Sequence, residues 1–537
     1  MMAQSQTATR QQPASKTKAT LGLIAVFTTY FASSYFFRGS GVTLPKIAAD
    51  LDGMHLYSWA ISLPALGSAF VTLTFGKLSD MYGRRIMLLI SLALYLAGAV
   101  MASVSETFIF FIVARVIIAL GQGALSPLAF SVIGDLYSPA ERSKWSGLLQ
   151  IPAGFAALVT PTFVGMLTDN LSWRYFLWGA VLLILISGVF VLIGIPSLSK
   201  RTEHKIDFAG SCLLAVASST MILAFSWAGS LYPWTSIPII ALLLVSFAVW
   251  SLFLWVEARA AEPMLDPQVL TNRTFLIAAI AALSSYFALV GVLMYFPLFL
   301  QGIQNCSATF SGQIITPFSA LMSLVGVPTG ILISRTKRYK AMYIAGYAIL
   351  TLAVFGMVGF KAGTPIWMEI LVVSFAGLGL GAIPTMNTLV AQFALPKRLL
   401  GVAVGAMFFF VFLGGAISPA ILGSAMNAKY ADTLQVLIPA ELKKFAGKET
   451  LESLTNSRIL LSSTSMAALE KEFSGYGDQG PALFEKTVQA IRGSLEAALK
   501  LVFLVGALTS LLSFLLILAI PEVSIDVEAE DKRRVRG

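Results

Sequence analysis

Two arginines stand inside apolar stretches, Arg38 in SSYFFRGSGVTLPKI and Arg115 in FIVARVIIALGQG. A cation at membrane depth is costly unless water, protein or an anion receives it. Tyr30, Ser34 and Arg38 recur every four residues, so a helix puts them on one face. Arg115, Gln122 and Ser126 fall at i, i+7 and i+11 and share a second face. Guanidinium groups suit bidentate recognition of carboxylate or phosphate. The chemistry these faces could perform is therefore capture of an anionic or amphipathic acid. For Arg38 the competing reading is snorkelling to the outer headgroups.

A neutral polar set lies further along the chain. Gln313 and Thr316 are three residues apart, and Asn387 stands in a later run. Phe287, Tyr295, Phe296 and Phe408 to Phe410 add aromatic surface. Such a stripe either packs helices together or lines a cavity for a bulky apolar body. Other chemistry has little support. His55 and His204 are isolated and Cys212 and Cys306 fall in or beside different apolar runs, so no metal site is expected. G-x-x-x-x-G-K-[ST] and hydrolytic constellations are absent, so neither ATP drive, a cofactor nor enzyme activity is expected.

The elements that must hold these residues are membrane helices. The chain is 57% hydrophobic and 12% charged, against roughly 25% charged in soluble proteins. Runs of about 20 apolar residues mark fourteen spans. They fall near 20–43, 57–75, 86–104, 107–134, 145–168, 175–196, 208–229, 236–256, 275–300, 312–334, 341–360, 366–390, 401–426 and 497–520. The first is read as a retained span, not a signal peptide. Lys77, Arg84, Arg85, Arg142, Lys144, Arg335, Lys337, Arg338 and Lys397 all fall on the side of the termini. The positive-inside rule makes both termini cytoplasmic and turns the net +10 into an orientation signal rather than a sign of nucleic-acid binding. The long outer loop, 428–496, carries helical apolar spacing, with Leu483, Val488, Ile491 and Leu495 as one stripe. It reads as a helical hairpin leading into the last span, or as a cap for an outer-side partner.

The most informative stretch is GKLSDMYGRR, Gly76 to Arg85, between spans two and three. Gly76 permits close helix approach and Gly83 a left-handed turn. Asp80 can accept from a helix N-terminus or an arginine, and Arg84 and Arg85 can pair with acids nearby. GILISRTKR, Gly330 to Arg338, echoes it between spans ten and eleven, with Ser334 where Asp80 would fall. This pattern resembles the loop-two/three motif of the major facilitator superfamily. L-P-x-I at Leu44, Pro45 and Ile47, Trp59, W-R at Trp173 and Arg174, and EPMLDP before span nine resemble its fourteen-helix drug/proton antiporter branch.

The resemblance implies an all-α membrane protein with the major facilitator fold, two six-helix bundles and two inserted helices. The expected organisation is a tail at 1–19, a bundle at 20–196, the insert with its preceding loop at 197–256, a linker at 257–274, a bundle at 275–520 and a tail at 521–537. It implies a gate of Gly76, Asp80, Gly83, Arg84 and Arg85 with Asp135 and Arg142. It implies helix-bending positions at Gly147, Pro161 and Gly165. It also implies secondary active efflux of hydrophobic or amphipathic compounds by alternating access in the plasma membrane, with the bilayer, a small-molecule substrate and protons as partners. The chain departs from the pattern where span one of that branch carries an aspartate: Phe36 stands there, and Arg38 follows two residues later. That departure supports the alternative, a transporter of an anionic metabolite or lipid-like acid recognised by Arg38 and Arg115.

Overall fold

A computed structural model describes residues 16–53, 56–196, 208–229, 231–260, 263, 265–439, 442, 454, 460, 463–474 and 480–521. Among the described residues, fourteen helices are long and apolar enough to cross a membrane. We number them α1 (Thr20–Asp50), α2 (Trp59–Tyr82), α3 (Arg84–Ser103), α4 (Phe108–Leu136), α5 (Glu141–Thr168), α6 (Trp173–Gly194) and α7 (Ala209–Trp227). The rest are α8 (Ile237–Glu257), α9 (Arg273–Gly302), α10 (Phe310–Thr336), α11 (Lys340–Val358), α12 (Ile366–Phe393), α13 (Lys397–Leu437) and α14 (Gly480–Leu518). The chain is an all-helical, multi-pass membrane protein. The side bearing Lys77, Arg84 and Lys397 is called the basic side below. His55, His204 and the tails lie outside the described residues, as does much of 440–479.

Four of the spanning helices, α4, α6, α9 and α10, begin where a side chain satisfies a free backbone donor. Thr107 accepts from the Phe110 amide, Ser172 from Arg174 and Ser307 from Phe310. Asn272 caps α9 at 2.9 Å, and its own amide donates to the Ala394 carbonyl at 2.7 Å. Prolines 45, 64, 127, 161, 317, 384 and 419 all stand inside helices. Neighbouring helices make this tolerable in a membrane protein. In α9 the backbone instead widens into a π-helical turn, Gly291–Tyr295, just before Pro297. Proline cannot donate to the preceding turn, and the widened turn accommodates that loss.

α1 packs on α4, α5 and α6, and α3 joins α4 to α6. In the second bundle α14 packs on α9, α11 and α13, and α12 joins α10 to α11. The bundles meet through α2 on α13, α5 on α10 and α4 on α13. α7 and α8 form a pair against the α2–α13 seam. There Leu66 and Ala69 of α2, Ile222 of α7, and Phe409 and Leu413 of α13 make one buried apolar cluster. Trp59 meets Trp227 edge to face, with centroids 5.0 Å apart. The two helices thus touch both bundles at once.

Two boundaries differ from the hydropathy reading. The last helix begins at Gly480, not near 497, and α13 continues to Leu437. At 1.5 Å per residue a 39-residue helix is about 58 Å long, against ~30 Å of hydrocarbon. Both helices therefore project beyond the membrane on the side opposite the basic one, where Gly493 lies against Leu437. Their polar extensions fail a hydropathy test yet continue the helix. The buried stripe of α14 is Leu483, Thr487, Ile491 and Leu495, while Val488 is only half-buried. A period of 3.6 residues favours 487 over 488 on that face.

Candidate functional site

The charged motif closes the basic side. α2 ends at Tyr82 and α3 starts at Arg84, with Gly83 alone making the turn at φ 95°. An L-residue with a side chain is strained there, which explains the glycine. Two residues before the end of α2, the Asp80 carboxylate accepts the Gly401 and Val402 amides at 3.0 Å each. These are free donors at the start of α13, where the helix dipole also favours an anion. Arg84 joins the same carboxylate at 2.5 Å and reaches Asp135 at the end of α4 at 2.8 Å. Its remaining nitrogen donates to Ser79. The Asp80 and Arg84 side chains are only 11% and 10% exposed, so this is a desolvated charge cluster joining two bundles.

Small residues let the backbones close behind that cluster. A Cβ on Gly76 would lie 2.6 Å from the Gly401 carbonyl oxygen, and one on Gly405 2.7 Å from that of Thr72. Thr72/Gly76 and Gly401/Gly405 are thus facing small-residue pairs at four-residue spacing. Arg142 is buried, and its Nε donates to the Tyr137 carbonyl at 3.0 Å, organising the turn between α4 and α5. Arg85 is half-buried and outside the ion pairs.

The α5–α10 seam repeats the geometry without the charge. A Cβ on Gly147 would lie 2.6 Å from the Gly326 carbonyl oxygen and 3.0 Å from the Gly330 Cα. Ser143/Gly147 and Gly326/Gly330 are again pairs four apart. In the echo of the motif, Lys337 stands where Gly83 does and also has a positive φ, 57°, but in the left-handed helical region with ψ 14°, whereas Gly83 has ψ 146°. Gly147 therefore serves a close helix crossing. α5 breaks at Leu149, between Leu148 and Gln150, and runs through Pro161 without interruption. A Cβ on Gly165 would meet only Val42, at 3.9 Å.

Between the bundles, Tyr30 of α1 stands edge-on to Phe130 of α4, centroids 5.7 Å apart. Phe130 meets Phe408 of α13 at 5.8 Å, and its carbonyl accepts Gln392 of α12 at 3.2 Å. This aromatic layer spans the seam. The half-buried Arg38 guanidinium interacts electrostatically with Tyr30 and with Tyr286 of α9 in the opposite bundle. In the sequence Tyr286 reads only as neutral polar lining on span nine, with no link to Arg38. Its signal there was faint, a tyrosine after Ser284 and Ser285 in an apolar run.

Other candidates separate. Gln122 donates to the Ser33 carbonyl at 2.7 Å and ties α4 to α1 inside one bundle. Ser126 and Arg115 are half-buried on α4, and Ser34 is half-buried beside Arg38 on the α1 face. Gln313 and Thr316 are exposed on α10, with Thr316 bonded to its own helix at Gly312. Asn387 is buried within the second bundle, where it accepts from the Tyr343 hydroxyl. Two buried acids outside the Asp80–Arg84 cluster hold loops: Glu257 accepts the Leu265 amide at 3.2 Å, and Glu369 accepts from Gln304 at 2.6 Å. Among the described residues no cluster of metal-ligating side chains occurs.

The family model described as Major Facilitator Superfamily matches residues 26–419. An uncharacterized MFS-type transporter of Mycobacterium tuberculosis is 30% identical over 71% of this chain and 56% of its own length. The chain thus spans little more than half the length of that relative. The multidrug transporter protein MdtP of Bacillus subtilis is 27% identical over 91% of each chain. Among solved structures, the proton:xylose symporter XylE superposes with a TM-score of 0.60 at 12% identity, covering 96% of this chain and 99% of its own. The human organic anion transporter MFSD10 superposes at 0.55 with 18% identity, covering 76% and 93%.

Proposed function

Since the chain belongs to the major facilitator superfamily, we propose that it is a secondary transporter exporting hydrophobic or amphipathic compounds by alternating access. In this reading it lies in the cytoplasmic membrane, with both termini and the basic side in the cytoplasm. The arginine and lysine bias between loops supports that orientation. The efflux direction, and an ion gradient with protons as the coupling ion, follow from the resemblance of its motifs to the fourteen-helix drug/proton antiporter branch, and the likeness to the multidrug transporter MdtP supports the breadth of substrates.

The observation that carries the reading is the Asp80 bridge to the Gly401 and Val402 amides. It joins the two bundles at their cytoplasmic edge in the arrangement described, together with the glycine crossings of α2–α13 and α5–α10. Rocking the bundles to open this side must pull the carboxylate from the helix terminus and separate four small-residue surfaces. It must also part Phe130 from Phe408. Arg84 and Asp135 lie within one bundle and stay with Asp80 through that movement, keeping the carboxylate from being stranded as a lone buried charge. The lock is thus strong enough to define a state and reversible enough to cycle.

Expression in a cell lacking its main efflux pumps tests this. Ethidium should leave energised cells faster with the protein than without, and a protonophore should erase the difference. Equal efflux with and without the protein across ethidium, a lipophilic cation and an aromatic acid would overturn the reading.

A further inference from the structure

α1 carries two faces with different surroundings. One is engaged by its own bundle. The Tyr35 hydroxyl donates to the Phe176 carbonyl at 3.3 Å. The Phe36 ring meets Tyr95 at 5.6 Å and Phe176 at 5.5 Å. Gly39 lies against the same Phe176 ring. The other face bears Tyr30, Ser34 and Arg38 and turns to the seam, as the Tyr30–Phe130–Phe408 layer shows. Arg38 stands eight residues from Tyr30, about 12 Å along the helix and away from the cytoplasmic lock.

Tyr286 approaches from the other bundle. Two glycines of α13 make room for it: a Cβ on Gly414 would lie 3.1 Å from the Tyr286 Cβ, and one on Gly415 3.5 Å from its ring. The groups acting on Arg38 are the Tyr30 and Tyr286 phenols, and Arg38 takes part in no ion pair among the described residues. A guanidinium at membrane depth without a carboxylate leaves its charge to be met by a ligand. The two phenols add hydroxyl donors, and the phenylalanine pair adds a flat apolar surface.

We propose that Arg38, Tyr30 and Tyr286 form the charge-selective part of the substrate site, receiving the acidic group of an amphipathic aromatic anion while Phe130 and Phe408 receive its body. The proposal rests on the transporter reading above and adds carboxylates and sulfonates on an aromatic frame to its amphipathic substrates. Two donors belong to one bundle and one to the other, so the site is complete only while both face each other. Rocking separates them, so affinity for the anion differs between the two arrangements of the bundles. The Phe130–Phe408 contact that supports the body is also part of the seam.

The test uses the full chain and two probes of matched shape, naphthalene-2-sulfonate and 2-naphthyltrimethylammonium. Exchange is measured in proteoliposomes, and binding by thermal stabilisation of the detergent-solubilised protein. The wild type should be stabilised by the sulfonate and should exchange it. Arg38→Ala should weaken both by about 10- to 100-fold, the range for losing a charge-assisted contact. Arg38→Lys should recover part of the loss, and Tyr286→Phe, which removes only a hydroxyl, should weaken sulfonate binding about threefold or more. Sulfonate binding unchanged in Arg38→Ala overturns the proposal, as does a wild type that recognises only the ammonium compound. Equal loss of both probes in Arg38→Ala and Tyr286→Phe also overturns it, since that marks packing and not charge selection. Sulfonate binding that depends on Arg38 without exchange of any solute would keep the site and refute the transporter reading. Ethidium export without sulfonate recognition would do the reverse.

Discussion

Replacing Asp80 by asparagine removes one charge and leaves the shape. The carboxylate now accepts two α13 amides at 3.0 Å and the Arg84 guanidinium. Charge-assisted bonds contribute about 1.5–3 kcal/mol each. Asparagine keeps one acceptor oxygen without charge, so one amide bond is lost and the other weakened. Arg84 also keeps only Asp135 as a carboxylate partner. We take the net loss to the state closed on the basic side as about 3 kcal/mol, roughly a hundredfold in population. Spin labels report it directly. With Cys212→Ser and Cys306→Ser as background, labels at Glu141→Cys and Arg335→Cys sit on exposed positions of α5 and α10, one in each bundle. Asp80→Asn should add a longer-distance population between them and slow ethidium export at least tenfold, with unchanged membrane content. A distance distribution and export rate both equal to those of the parent would refute the lock.

Gly147→Val should loosen the same side, because its Cβ would meet backbone atoms of Gly326 and Gly330 that cannot yield. Export should fall severalfold, whereas Gly188→Ala, whose Cβ meets nothing within 4 Å, should match the wild type in the same ethidium assay. Arg174 donates to the Ser105 carbonyl at 2.8 Å and covers the Trp173 ring at 4.3 Å. Arg174→Ala should therefore lower thermal stability by about 1–3 kcal/mol, seen as a reduced Tm in detergent, and leave probe selectivity unaltered. Trp227→Ala removes the ring against Trp59 and should destabilise α7 on the α2–α13 seam by about 2–4 kcal/mol, measured as faster protease nicking of the segment before α8.

Hydropathy and one ten-residue motif carried most of the fold, because a membrane span must satisfy its own backbone and stay apolar over its length. The helix count and the place of the Asp80–Arg84 charge cluster follow from those constraints. The start of α14 at Gly480 did not, since Glu485, Lys486 and Arg492 interrupt the apolar run without interrupting the helix. Asp80 and Arg84 could be read as partners for something, but not that the acceptor's contacts would be two amides of α13 more than 300 residues away in the chain. Gly401 and Gly405 carry no motif of their own; only their backs against Thr72 and Gly76 give them meaning. Asn387 and Gln122 read as lining because polar residues in spans invite that reading. In the fold both are committed to helix contacts inside one bundle. Arg38 reads in sequence as either a headgroup or a protein contact, and its electrostatic interaction with Tyr286, 248 residues further on, carries no signature in the sequence.

The central claim is that a gradient across the membrane drives solute through this chain alone. The most direct measurement reconstitutes purified protein into sealed liposomes without nucleotide, imposes a pH step and follows ethidium and internal pH together. The account predicts ethidium accumulation in the proton-rich lumen, with protons leaving as the dye enters, both reduced at least tenfold by Asp80→Asn. Dye distribution that ignores the pH step and the variant alike would contradict it.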